Sequence, residues 1–160
     1  MTTVRGRLTR RGGGAIVHFD HAPISDVIRF AGAEWRAKRE FHVTLFGAAV
    51  IRALTLNEDD VIKRAARRLT FTVSLREELW HVREGSMRAI IRMCDVGGAE
   101  ELFSRLEAEL STPIERPPYH VTIYTIGTLR GIGLANLADL ERCGEEITGM
   151  EREALRSAIQ

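Results

Sequence analysis

The chain has 160 residues, 44% of them apolar and 28% charged, with a formal net charge of +1 at pH 7. That is the length and balance of one ordinary globular domain able to bury a core. No run approaches the roughly 18 apolar residues of a membrane span, so no membrane partner is expected.

The first fourteen residues, MTTVRGRLTRRGGG, are basic and glycine-rich. They lack the apolar stretch of a secretory signal, although a very short transit peptide shares their composition. They are expected to form either an early strand or a flexible segment ahead of one domain over 15–160. Arg5, Arg7, Arg10 and Arg11 could act there as a phosphate-tracking arm. Ala15 to Phe19 reads as a strand. Pro23 and Ser25 are expected to open a helix with Ile24, Val27, Ile28 and Ala31 on one face. Residues 41–46 alternate as a strand ending at Gly47, and Ala48 to Leu54 suits a short helix. Asn57 and the acids after it cap a helix reaching about Arg68, with Val61, Ile62, Ala65, Ala66 and Leu69 inward. Residues 70–75 alternate with period two. Leu79 to Arg83 and Arg88 to Cys94 flank a hairpin turn at Glu84-Gly85-Ser86, and Trp80 is expected in the core. Ala99 to Leu110 is an amphipathic helix with Leu102, Phe103, Leu106 and Leu110 as its stripe. Three prolines make residues 111–118 a loop. A strand follows to about Gly127, then a helix over Leu134 to Ile147 and a final helix or tail.

Two of these strands carry near-copies of one phrase. Residues 41–45 read Phe-His-Val-Thr-Leu and residues 119–123 read Tyr-His-Val-Thr-Ile, with His42 and His120 lying 78 positions apart. Side chains alternate along a strand. His42 and Thr44 therefore point one way, with Phe41, Val43 and Leu45 opposite; His120 and Thr122 repeat the pattern. Burying these polar groups without partners would cost about 1–3 kcal/mol each, so a wet cleft shared by both pairs is the economical arrangement. One histidine could take a proton from water while the other gives one to a leaving alkoxide. Thr44 and Thr122 could hold the phosphate oxygens. A lone H-x-T is weak: with 12 Thr in 160 residues, about one His in thirteen matches by chance. Two copies sharing Val and both flanks are far less accidental.

The doubled motif resembles the 2H phosphoesterase superfamily, named for two H-x-T/S-x motifs on central strands. Here these are His42-Val-Thr44-Leu and His120-Val-Thr122-Ile. The resemblance implies an α+β fold: bilobal, with two antiparallel-rich sheets related by an approximate two-fold, flanking helices and a central cleft. It implies metal-independent chemistry on 2′,3′-cyclic or linear phosphodiesters, often at RNA ends, with His42 and His120 as the acid–base pair and Thr44 and Thr122 binding phosphate. Which histidine is acid and which is base stays open. No cofactor is expected, and no HExxH or other metal-ligand spacing is present.

Lesser candidates are Tyr124, in alternation with His120 and Thr122 and so either stacking on a base or sitting at the core edge, and Arg130, as a phosphate partner or a solvated loop residue. His18 and His21 could border the cleft. Of the 23 basic residues only Lys38 and Lys63 are lysines; arginine suits phosphate oxygens, and a GC-rich genome gives the same bias. Cys94 and Cys143 are isolated, which supports neither a disulfide framework nor a zinc site and suits a reduced, cytoplasmic protein. The leading expectation is a cyclic phosphodiesterase acting on an RNA end or nucleotide. The alternatives are a non-catalytic RNA or nucleotide-phosphate binding module, or the same chemistry on 2′,5′-linked oligonucleotides or a nucleotide-sugar cyclic phosphate.

Overall fold

A computed structural model describes residues 2–11, 14–53, 58–127 and 130–159. In chain order these form β1 (Thr3–Arg11), β2 (Gly14–Phe19), β3 (Val27–Phe30), β4 (Ala33–Ala37), β5 (Phe41–Phe46), α1 (Ala48–Ala53), α2 (Glu58–Ala65), β6 (Phe71–Glu84), β7 (Met87–Gly97), α3 (Ala99–Leu110), β8 (His120–Ile126), α4 (Leu137–Cys143), β9 (Gly144–Ile147) and α5 (Gly149–Ile159). The helix end expected at Leu54 and the cap expected at Asn57 lie outside the described residues.

The class is α+β. All nine described strands join one antiparallel sheet in the order β3-β4-β8-β5-β2-β1-β6-β7, with β9 on β6. β7 also pairs with β8, so six strands close on themselves and hide their edges. The two sheets expected from the sequence are thus linked, because the two motif strands β5 and β8 pair with each other.

Two local expectations are corrected, and one left open is decided. Residues 23–31 are not a helix, since Val27–Phe30 and Ala33–Ala37 form a hairpin. Its turn is Ala31-Gly32, with φ of 48° and 72°; two left-handed residues are what a tight hairpin needs. The helix expected over 134–147 is confined to Leu137–Cys143 and gives way to β9, which pairs with β6. Gly144 leaves the helix in extended conformation, and a Cβ there would lie 2.6 Å from the Leu140 carbonyl oxygen. Residues 3–11 are no separate tail, because β1 is bonded to β2 on one side and β6 on the other.

The main core lies between the sheet and helices α1 to α3. Val17, Val43, Val73 and Val121 meet Leu102, Phe103 and Leu106 there, all fully buried. Gly98 starts α3 at φ 85°, where a Cβ would stand 2.5 Å from the Thr70 carbonyl oxygen; only glycine allows that approach. A second cluster gathers Trp35, Leu79, Ile90, Ile123 and Tyr124 under α5. A third sets Ile91 and Met93 against Leu140 of α4 and Ile132. Both cysteines are free. Among the described residues no helix is long and apolar enough to cross a membrane.

Candidate active site

The two phrases meet at their central valines. β5 and β8 pair antiparallel at one position, Val43 opposite Val121. Both valines are buried in the main core. One step either way, that register sets His42 against Thr122 and Thr44 against His120, on the face opposite the valines. In a regular ladder, facing Cβ atoms lie about 4.5–5.5 Å apart and diagonal neighbours about 7–8 Å. The histidines form the diagonal. Beyond this point β8 exchanges β5 for β4, pairing Tyr124 with Ala37 and Thr125 with Arg36.

Both phrases also end in the same irregularity. Between β2 and β5 the register runs Ile16 to Thr44 and then Ala15 to Phe46, leaving Leu45 as an extra residue. Between β7 and β8 it runs Ile91 to Thr122 and then Ile90 to Tyr124, leaving Ile123 as the extra residue. Each bulge falls on the aliphatic residue after the threonine and reverses the alternation beyond it. Tyr124 is therefore turned away from His120 and Thr122, which corrects its expected place in the site. It is completely buried beside Trp35, and its hydroxyl donates to the Ala158 carbonyl at 3.3 Å. Phe46 holds the matching position on β5, buried edge-on to Phe103.

His42, Thr44, His120 and Thr122 line one pocket of about 740 Å³. Its walls are the start of α1, the proline loop from Leu110 to Pro117, and residues 131–135. They are largely apolar, and no Lys or Arg stands among the described lining residues. Arg130 is exposed and outside the lining, so the structure does not place it with the motifs. Gly131 packs against Thr122, where a Cβ would lie 2.8 Å from Thr122 Oγ1. Gly131→Ala should thus displace the Thr122 hydroxyl and lower turnover about tenfold with little loss of stability, on the scale of one weakened oxyanion donor. Steady-state kinetics beside a thermal melt would check this, and unchanged turnover would remove Thr122 from the site.

The two imidazoles have different surroundings. His42 is half-buried, and its Nδ1 has no hydrogen-bond partner among the described residues. Burial, then the positive charges of Arg11, Lys38 and His18, pull its pKa down to about 4, with Glu40 opposing. His120 is also pulled below its ordinary value by burial, but backbone hydrogen bonds at Pro118 and Ile132 favour its charged form. His120 Nδ1 lies 2.6 Å from the Pro118 carbonyl oxygen. That oxygen can only accept, so Nδ1 carries the proton.

Sequence reasoning gave His18 little weight, yet His18 is the cross-strand partner of His42. Lys38 also reaches the site, donating its backbone N–H to the Ile123 carbonyl at 2.7 Å, at the bulge itself. Neither residue belongs to a motif, and only strand pairing reveals them. His21 stacks on Phe41 at 4.6 Å instead of lining the pocket. Among the described residues, no group of three or more His, Cys, Asp or Glu could hold a metal ion. No family model, curated protein or solved structure matches this chain.

Proposed function

We propose that this protein is a phosphodiesterase of the 2H kind, working by two-histidine acid–base catalysis without a metal. The observation that carries the reading is the pairing of Val43 with Val121, which turns two H-x-T motifs onto one face and one pocket. The self-pairing and the matched bulges also support a local two-fold between two lobes, with the pocket as the cleft between them. The substrate class is a 2′,3′-cyclic phosphate on a nucleotide or RNA end. The apolar lining suits a base and sugar, and the absence of cations among the described lining residues weighs against a pocket that merely grips polyanions. The same four side chains would serve a 2′,5′-linked oligonucleotide or a nucleotide-sugar cyclic phosphate.

His42 is the base and His120 the acid for hydrolysis. Burial lowers the pKa of both histidines; at His42 neighbouring cations add to it, whereas at His120 backbone carbonyl groups oppose it and help the ring carry a proton. His42 takes a proton from water as the oxygen attacks phosphorus, and His120 protonates the departing ribose oxygen. Thr44 and Thr122 donate to the non-bridging oxygens.

The roles fix the sign of the pH dependence. The base must be neutral, so kcat/KM should fall as pH drops through about 4. The acid must be protonated, and its pKa lies below the ordinary histidine value. Activity should therefore decline as pH rises toward neutrality, which places the optimum on the acidic side. A pH–rate profile on a 2′,3′-cyclic nucleotide, with and without chelator, tests both points. An optimum above pH 8 would contradict catalysis by this histidine pair, and loss of activity with chelator would end the metal-free mechanism.

A further inference from the structure

We propose that a second site, on the reverse of the sheet from His42 and His120, binds a phosphomonoester. Its place follows from strand register. Arg92 on β7 pairs with Val121 and with Leu79, so its side chain shares the face of the buried valine, whereas His120 and Thr122 point the other way. A cavity of about 480 Å³ opens on that reverse face, between the ends of β1 and β2, the irregular stretch of β6 after Leu75, and α5.

Four guanidinium groups, from Arg76, Arg92, Arg152 and Arg156, line this cavity against two carboxylates, from Asp20 and Glu77. Two of the four are already neutralised: Arg76 pairs with Asp95, and Arg156 pairs with Glu77. Arg92 donates its Nε–H to the Arg76 carbonyl. Among the described residues, neither Arg92 nor Arg152 forms an ion pair with a carboxylate. Both are only partly exposed. Burial disfavours the charged form of Arg92; Glu77 opposes and nearby Arg156 adds to it. A partly buried, uncompensated cation is costly, and an anion seated between Arg92 and Arg152 would relieve that cost.

The chemistry of the anion follows from charge and lining. A phosphomonoester carries close to two negative charges near pH 7 and can engage Arg92 and Arg152 together, each bidentately, while Asp20, the lining carboxylate with no ion pair among the described residues, is exposed at the rim. Phe19, Leu75, Leu79 and Ile159 supply an apolar floor for the organic part of the ligand.

The test is calorimetric titration of adenosine 5′-monophosphate, ribose 5-phosphate and inorganic phosphate into the wild type, Arg92→Gln, Arg152→Ala, and a Thr44→Val/Thr122→Val double variant. Saturable binding of at least one organic phosphate is expected. It should weaken tenfold or more in Arg152→Ala and in Arg92→Gln, and hold in the threonine variant. Arg152 has no ion pair, so its removal spares the fold and decides the question even if Arg92→Gln proves unstable. No saturable binding, or binding unchanged in Arg152→Ala, overturns the site. Loss in the threonine variant alone would move the anion to the histidine pocket and overturn it too. Inorganic phosphate binding as tightly as both organic phosphates would overturn the phosphomonoester assignment.

Discussion

Replacing His120 with Ala is expected to lower kcat on a 2′,3′-cyclic nucleotide by about 10²–10⁴-fold, the usual scale of a lost general acid. The fold should survive. The side chain gives up its backbone hydrogen bonds at Pro118 and Ile132, each worth about 1 kcal/mol. For a chain of this size each such loss moves the melting temperature by about 2–4 °C. His42→Ala should cost a similar factor, because one side must take the proton that the other returns. The two losses should not multiply. Once either histidine is gone the proton path is broken, and the double variant should retain about the residual rate of the single ones, as in other groups that act as a unit. Turnover numbers for the three variants, with circular dichroism as a control for folding, provide the check. Full activity in His120→Ala would sink the mechanism, and multiplicative losses would show that the histidines act independently.

How much of this was legible beforehand depends on which force set each element. The stripe Leu102, Phe103, Leu106 predicted α3 to the residue, because a helix that must bury one face writes its period into the sequence. The alternation in residues 41–46 and after 119 likewise gave β5 and the line of β8. What alternation could not reveal is pairing. Nothing along the chain says that Val43 meets Val121, or that Leu45 and Ile123 are bulged out. Strict period two therefore left Tyr124 between the pocket and the core edge, when it belongs to the core. The segment around Val27 to Ala37 misled for a different reason. Its apolar spacing fits a helix, but Ala31-Gly32 is a hairpin turn, and the small-residue pair was a weaker signal than the usual Asn-Gly. Trp35, which that hairpin carries into the core, was overlooked altogether.

Trp35→Ala should be among the most damaging single changes, at about 3–5 kcal/mol out of a total stability of about 5–15 kcal/mol. The indole is 0% exposed at the centre of the second core cluster. Its Nε1–H donates to the Phe30 carbonyl at 2.9 Å, closing the hairpin on itself. His81 packs on it at 5.2 Å and 80°, and the Arg88 guanidinium lies 5.8 Å from its centroid. Truncation would leave a cavity beside Leu79, Ile90 and Tyr124 and leave those neighbours without a surface. Trp35→Phe keeps much of the ring and gives up the N–H bond, so it should cost clearly less. Urea unfolding of the three proteins would separate the effects, and a loss below about 1 kcal/mol in Trp35→Ala would show that the cluster can collapse to fill the gap. The consequence reaches the site. β4 pairs with β8 at Tyr124 and Thr125, directly after the bulge that follows Thr122 and turns Tyr124 away from it. Lys38 holds the bulge residue itself. Loosening β4 releases one edge of β8, so amide exchange at Ile123 to Thr125 should quicken in Trp35→Ala before the rest of the sheet responds. Catalytic strands can be positioned only as firmly as the strands that flank them. For the stretch of β8 just past Thr122, one of those flanking strands is anchored by Trp35.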